Sequence, residues 1–423
     1  MNKPRLKTNA AWLMLGQVVY KACQLGILVA IARICDAEGV GIYAFGMAVS
    51  APILMFLNLQ LRLVFATDTE RSLGFTTYFS LRACTSCFSL ILIAIWLAIT
   101  RPPAFEVTVF AAIALGKAIE SISELLVGVW QREELMHLTA RSLILRGLAT
   151  LIPFSLILLT TIDLSISIWF IPIGFLSVLL LHDRYAIRSL SPDELRSNGQ
   201  ADFQSVRKLV ITALPLGLAT GLLSLDSNIP RYFVGWHLGN LELGVFAAAG
   251  YLALVTQTIA ASIINSIIPR LAKNHANNQY HQLVKTMTTV FLIFLAGGFV
   301  AVATVYFAGG DILAFLFKEE FRRGGYVLTL LFAASMLRTL GLILGAGLRA
   351  MRKFKYLFGL QLVSTILLSV CCYYSIQPYG LAGIGWSAVI ACGFGFVANL
   401  FGLMSYLHLE RNSERVTSCI LPH

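Results

Sequence analysis

Charge is scarce in this chain. Lys, Arg, Asp and Glu together supply 13% of its 423 residues, hydrophobic residues supply 57%, and the mean hydropathy is +0.78. A soluble globular domain carries about 25% charged residues, so there is too little polar surface here to coat a water-soluble particle, and the chain is assigned to a bilayer. Dense basic clusters are missing too. The formal charge of +11 comes from residues spread singly between apolar runs, which argues against nucleic acid as a partner. No Walker A sequence, zinc-ligand spacing, G-x-S-x-G elbow or strand-to-helix G-x-G-x-x-G occurs, so neither ATP hydrolysis nor a cofactor is expected of this chain. The eight cysteines lie mostly inside apolar runs. Thiols there pack as small hydrophobes, and no disulfide framework is expected. Cys84 and Cys87 have C-x-x-C spacing without any redox or metal-binding context.

What is abundant is long apolar sequence. A spanning helix takes about 20 mostly apolar residues, and twelve such runs are read, over residues 9–33, 39–63, 77–100, 104–130, 138–160, 162–181, 209–233, 243–269, 283–307, 326–348, 355–376 and 381–407. The first follows a basic leader, as a secretory signal would, but it is about twice as long as a signal's apolar core and holds Lys21, so it is read as an uncleaved span. The longest polar interval, Asp183 to Lys208, divides the chain into an N-lobe (1–182), a linker (183–208), a C-lobe (209–408) and a tail (409–423). With the N-terminus in the cytoplasm, 21 of the 32 Lys and Arg fall in cytoplasmic loops, 6 outside and 5 inside spans. That bias places both termini and the linker in the cytoplasm. The outer loops are then short, the longest running from Ala308 to Gly325.

The halves echo one another. Gly41-Ile42-Tyr43-Ala44 opens the second run and Gly244-Val245-Phe246-Ala247 the eighth; Gly128-Val129-Trp130-Gln131-Arg132 closes the fourth and Gly347-Leu348-Arg349-Ala350-Met351 the tenth. An even number of spans separates the copies, which predicts a parallel repeat about an axis along the membrane normal, with two six-helix lobes facing a central cavity. Pro52 and Pro269 are expected to interrupt their helices, and Gly16, Gly26, Gly46 and Gly217 to let spans bend.

A charge at mid-bilayer costs roughly 2.5–3.5 kcal/mol on insertion scales, so buried charges are seldom idle. Lys21, Lys117 and Arg338 fall near the middle of their spans; Arg82 and Arg146 lie one to two turns in, where a long side chain can also reach its own headgroups. The buried acids are Glu120, Glu124 and Asp226. Lys117, Glu120, Ser121 and Glu124 recur at i, i+3, i+4 and i+7 and share one helix face, either as an internal ion-pair seam or as a cavity lining whose carboxylate exchanges a proton or cation. Five buried bases against three acids leave a positive excess suited to an anion such as a phosphate. Asp226 lies about two turns before the outer end of its span, and Pro230 is expected to end the regular helix. Asp226 is read as a gating or helix-pairing residue, with Arg231 and Trp236 at the interface.

Five stretches, NLQLRLVFATD (Asn58–Asp68), NIPRYF (Asn228–Phe233), ELGVFA (Glu242–Ala247), IPRLA (Ile268–Ala272) and RAMRKF (Arg349–Phe354), together resemble the polysaccharide-flippase branch of the multidrug/oligosaccharidyl-lipid/polysaccharide (MOP) exporter superfamily, from the first span to the twelfth. The resemblance implies an all-α transporter that moves a polyprenyl-diphosphate-linked oligosaccharide, such as an O-antigen or capsule repeat unit, across a bacterial inner membrane by alternating access. It implies a cationic cavity, for which Lys21, Arg62, Arg82 and Arg270 match by span and polarity. It also implies membrane lipid, a polysaccharide polymerase and chain-length machinery as partners. A multidrug or cation antiporter of the same superfamily is the nearest rival, and it would favour acids where this chain has a basic excess. A membrane polymerase or glycosyltransferase would call for a sizeable extracytoplasmic loop.

Overall fold

In hydrocarbon a peptide group has no water to bond, so an apolar run must satisfy its backbone internally. The apolar runs of this chain accordingly form helices. The structure, a computed structural model, describes residues 6–68, 73–185, 202–277 and 279–420, and no strand occurs among them. The first group of helices is α1 (Leu6–Ile34), α2 (Asp36–Leu57), α3 (Leu61–Thr67), α4 (Phe75–Thr100), α5 (Ala104–Arg132), α6 (Met136–Thr161), α7 (Leu164–Ser167) and α8 (Phe170–Val178), the last extended by a π-helical turn, Leu179–Asp183. Then follow α9 (Phe203–His237), α10 (Asn240–Ala276), α11 (Tyr280–Leu316), a 3-10 turn (Glu319–Gly324), α12 (Gly325–Ala350) and α13 (Phe354–Ile420).

Among the described residues, ten segments are long and apolar enough to cross a membrane. Two further features separate that number from the twelve runs read in the sequence. Helix α5 has spanning length at 29 residues but carries Lys117, Glu120 and Glu124, and α13 is one 67-residue stretch broken at Gly380 (φ 53°, ψ −135°). The 37-residue helices α10 and α11 are about 55 Å long at 1.5 Å per residue. They outreach a hydrocarbon core of about 30 Å. Most of the expected Ala308–Gly325 loop is therefore helical: α11 continues to Leu316 and the 3-10 turn fills much of the remainder.

Proline does not stop helices where it was expected to. α2 runs through Pro52, α9 through Pro230 to His237, and α10 through Pro269. An interior proline forfeits one hydrogen bond, and packed neighbours can hold the helix together across that gap. What stops α2 is a pair of left-handed residues, Leu59 and Gln60, both at φ 49°. The glycines expected to bend spans instead permit close approach. A Cβ on Gly16 would lie 2.7 Å from the Cα of Ala140, so α1 and α6 touch backbone to backbone, the contact that small residues allow between membrane helices.

The chain falls into two compact units, Met1–Tyr232 and Phe233–His423. The boundary between these units lies within α9; of the 183–208 interval, residues 186–201 are outside the described residues. α9 is tied to the first unit along its length. A Cβ on Gly217 would come 2.7 Å from the Phe56 carbonyl oxygen, Thr220 donates to the Met55 carbonyl at 3.2 Å, and Tyr232 donates to that of Ala48 at 2.5 Å. In the second unit the core joins Leu340, Ile343 and Ala346 of α12 to Leu271 of α10 and Leu283 and Met287 of α11.

The sequence echo at the ends of α5 and α12 has a structural counterpart. Leu135 N–H donates to Trp130 O and Glu134 N–H to Gln131 O; Lys353 N–H donates to Leu348 O and Arg352 N–H to Arg349 O. Both sets form a Schellman stop, with Glu134 (φ 59°) and Arg352 (φ 57°) left-handed. The matching pairs are 218 residues apart. The repeat is thus in register one residue away from the alignment of Gly128 with Gly347.

Candidate functional site

The polar stripe of α5 forms as its spacing predicts. Lys117 donates to Glu120 Oε2 at 2.7 Å, and the other Glu120 oxygen accepts a short hydrogen bond from the hydroxyl of Tyr20 on α1. Ser121, on the next step of the same face, shares a buried 2.9 Å hydrogen bond with Ser86 of α4. Arg82 lies one turn before Ser86 and Glu124 one turn after Ser121 (i+3). Because α4 and α5 are successive, antiparallel helices, both steps lead towards the same end, and Glu124 acts electrostatically on Arg82. One turn further along α5, a Cβ on Gly128 would lie 3.1 Å from the Arg62 carbonyl oxygen. This brings α3 alongside, and its Arg62 also feels Glu124. Lys21, beside Tyr20, is exposed, donates to Gln24 at 3.1 Å, and interacts electrostatically with Lys117, Glu120 and Glu124.

Arg82 is only 1% exposed. Its Nη1 donates a short hydrogen bond to Asn58 Oδ1, at the left-handed break after α2, and its Nε is buried without a partner. Arg62 is held by Gln131 at 3.3 Å. Both guanidinium groups therefore rest on neutral amides.

Arg146 behaves otherwise. Instead of reaching towards headgroups it pairs with Asp183 at 3.0 Å, the two side chains being 1% and 0% exposed. Asp183 also accepts from Ser142 at 2.7 Å and lies 3.0 Å from His182 Nδ1; His182 in turn meets Trp130 edge to face. The sequence reading had assigned Asp183 to the linker, but the π-helical turn carries the helix far enough to bury it.

The structure thus gathers Lys21, Arg62, Arg82, Lys117, Glu120 and Glu124 in the first unit, with Arg146 and Asp183 beside them. Five cations face three carboxylates. Asp226 is 5% exposed on α9, where its neighbour Asn228 donates to Ser224 O at 2.8 Å and accepts from Arg231 at 2.7 Å. In the second unit, Arg338 is half-buried on α12 and Arg270 exposed on α10. Sequence reasoning gave no role to Tyr20 or Asn58. Tyr20's adjacency to Lys21 was a usable signal; Asn58 had none before the Arg82 contact was seen.

The family described as polysaccharide biosynthesis protein matches residues 6–275, more than half of the chain. The chain belongs to that family. Its ten described segments of spanning length and apolar composition fit a multi-pass membrane protein. It is 24% identical to the capsular polysaccharide biosynthesis protein CapF of Staphylococcus aureus over 403 residues, which are 95% of this chain and 98% of that one. The solved structures that share its fold include two transporters. One is an inward-facing multidrug resistance MATE family transporter of the MOP superfamily (TM-score 0.72, 12% identity, 93% of this chain and 98% of that one). The other is the lipid II flippase MurJ in an inward closed conformation (TM-score 0.67, 12% identity, 93% and 87%).

Proposed function

We propose that this protein flips a polyprenyl-diphosphate-linked oligosaccharide, an O-antigen or similar polysaccharide repeat unit, from the cytoplasmic to the periplasmic leaflet of a bacterial inner membrane. The reading takes the chain as twelve spans in two six-helix lobes, with both termini cytoplasmic, working by alternating access. The observation that carries it is Arg82. A guanidinium removed from water and given only an amide and an unfilled Nε is costly to maintain. Diphosphate oxygens match its donor fork and offset its charge. Lys21 and Arg82 receive the diphosphate, while Arg62 and Lys117 add to the field. Arg270 and Arg338 serve the anion later on its path. Asp226 acts as a gate, and Glu120 sets the charge of Lys117.

The likeness to a multidrug transporter concerns the fold. A carrier of cationic drugs needs an excess of acid, whereas the cluster on α1–α5 has an excess of base. Deleting the gene is expected to leave lipid-linked oligosaccharide on the cytosolic leaflet while its synthesis continues; drug sensitivity without that build-up would support the rival. Restoring the gene with Lys21→Gln and Arg82→Gln together is expected to leave the protein in the membrane and surface glycan depleted. Unchanged glycan would remove both residues from the site.

A further inference from the structure

Among the described residues, Glu124 is the one carboxylate of the α5 stripe with no hydrogen bond or ion pair. Glu120 is bound by Lys117 and Tyr20, and Asp183 by Arg146 and Ser142. Among the described residues Glu124 has neither a hydrogen bond nor an ion pair, although it is half-buried on a membrane helix. It is nonetheless surrounded by positive charge: Lys21 of α1, Arg62 of α3 and Arg82 of α4 all lie within its field. The Ser86–Ser121 bond and the Gly128–Arg62 approach fix α4 and α3 on either side of it. A carboxylate that lies in the field of three cations and is bonded to none among the described residues can be displaced.

We propose that Glu124 is a resident surrogate for the cargo's phosphate. In the empty transporter its carboxylate offsets part of the charge on Lys21, Arg62 and Arg82; an arriving diphosphate takes over those cations and pushes the carboxylate aside. The cations then never stand fully uncompensated between cargoes, a state that burial makes expensive. The surrogate also weakens cargo binding, so that release is not blocked. The inference rests on the reading of this cluster as an anion site.

The test uses the purified full-length protein in lipid nanodiscs, with inorganic pyrophosphate as the probe and calorimetry as the measurement. Removing one fixed negative charge at short range is worth about a decade in affinity. Glu124→Gln and Glu124→Ala are both expected to bind pyrophosphate about ten-fold tighter than wild type, Arg82→Gln about ten-fold weaker. Neither Glu124 variant breaks a hydrogen bond, so both are expected to fold. In cells the tighter grip is expected to lower surface glycan at unchanged protein level. If Arg82→Gln weakens binding but both Glu124 variants leave it equal or weaker, the surrogate role is overturned and the anion site stands. If the wild type binds no pyrophosphate, or Arg82→Gln changes nothing, the anion site falls and the surrogate with it.

Discussion

Asp183→Asn separates charge from shape more cleanly than any other change in the first unit. Asparagine keeps the outline of the side chain and an oxygen able to accept from Ser142, which now bonds Asp183 at 2.7 Å. What disappears is the negative charge 3.0 Å from the Arg146 guanidinium, in a site where the two side chains are 0% and 1% exposed. Arg146 already buries its Nε without a partner, so no second bond is available to take up the loss. Breaking a buried pair by removing one member costs about 3–5 kcal/mol, because a desolvated charge is left behind. Asp183→Asn is expected to lower the unfolding free energy by that amount, read from tryptophan fluorescence during denaturation in mild detergent. Arg146→Gln with Asp183→Asn removes both charges and is expected to recover about 2 kcal/mol or more of it, the signature of direct coupling in a double-mutant cycle. A single variant within about 1 kcal/mol of wild type, or a double variant no better than the single, refutes the account of this pair as scaffold.

Two further substitutions test the packing and capping arguments. Gly16→Val is expected to cost about 1–3 kcal/mol and to lower the amount of protein in the membrane, because its Cβ would meet the Ala140 backbone at 2.7 Å and backbone cannot rotate away; wild-type levels and stability would mean that α1 and α6 do not touch there. Asp163 caps α7 by accepting from Ser165 N–H at 2.7 Å, so Asp163→Ala is expected to cost about 1 kcal/mol. The Ser165 hydroxyl and backbone N–H hold the Asp163 carboxyl below the usual aspartate range. The cap's contribution is therefore complete above that range and fades as pH falls through the depressed value, and denaturation curves of wild type and variant should converge in acid.

Much of the fold was legible because its rule is local. The apolar runs of spanning length became helical, although 39–63 breaks between α2 and α3 and 162–181 divides into α7 and α8, and Lys117, Glu120, Ser121 and Glu124 share a face because their spacing is that of a helix. The Schellman stops after α5 and α12 were visible as a sequence echo, though a residue out of register, since the bonding pattern and not the glycine defines the equivalence. Prolines misled because their effect is not local: Pro52, Pro230 and Pro269 sit in helices that neighbouring segments hold together. The break after α2 was hidden for the converse reason. Neither Leu59 nor Gln60 is a residue that favours left-handed backbone, and the turn is packed in a cluster that joins α3 to α4, α5 and α9. Asp183 was assigned to the linker because a polar tract follows it, and no sequence window shows that Ser142 and Arg146, 41 and 37 residues earlier, enclose it.

The partners of the buried cations divide Arg146 from Arg82 and Arg62. Counting charges by span treats Arg82 and Arg146 alike, since both lie near the ends of apolar runs and both prove to be 1% exposed. Their partners set them apart. Arg146 is matched by a carboxylate, so an anion approaching it would have to displace a neutralising charge already in place at 3.0 Å. Arg82 and Arg62 are oriented by the amides of Asn58 and Gln131, which fix the direction of the donors without cancelling the charge. Under the proposed function, an incoming phosphate meets more of the field of the second kind of residue than of the first. The proposed carriage of an anionic cargo would use both kinds, the first to hold helices together and the second to bind. The same contrast separates the acids: Asp183 is bonded to Arg146 and Ser142, whereas Glu124 has no hydrogen bond or ion pair among the described residues.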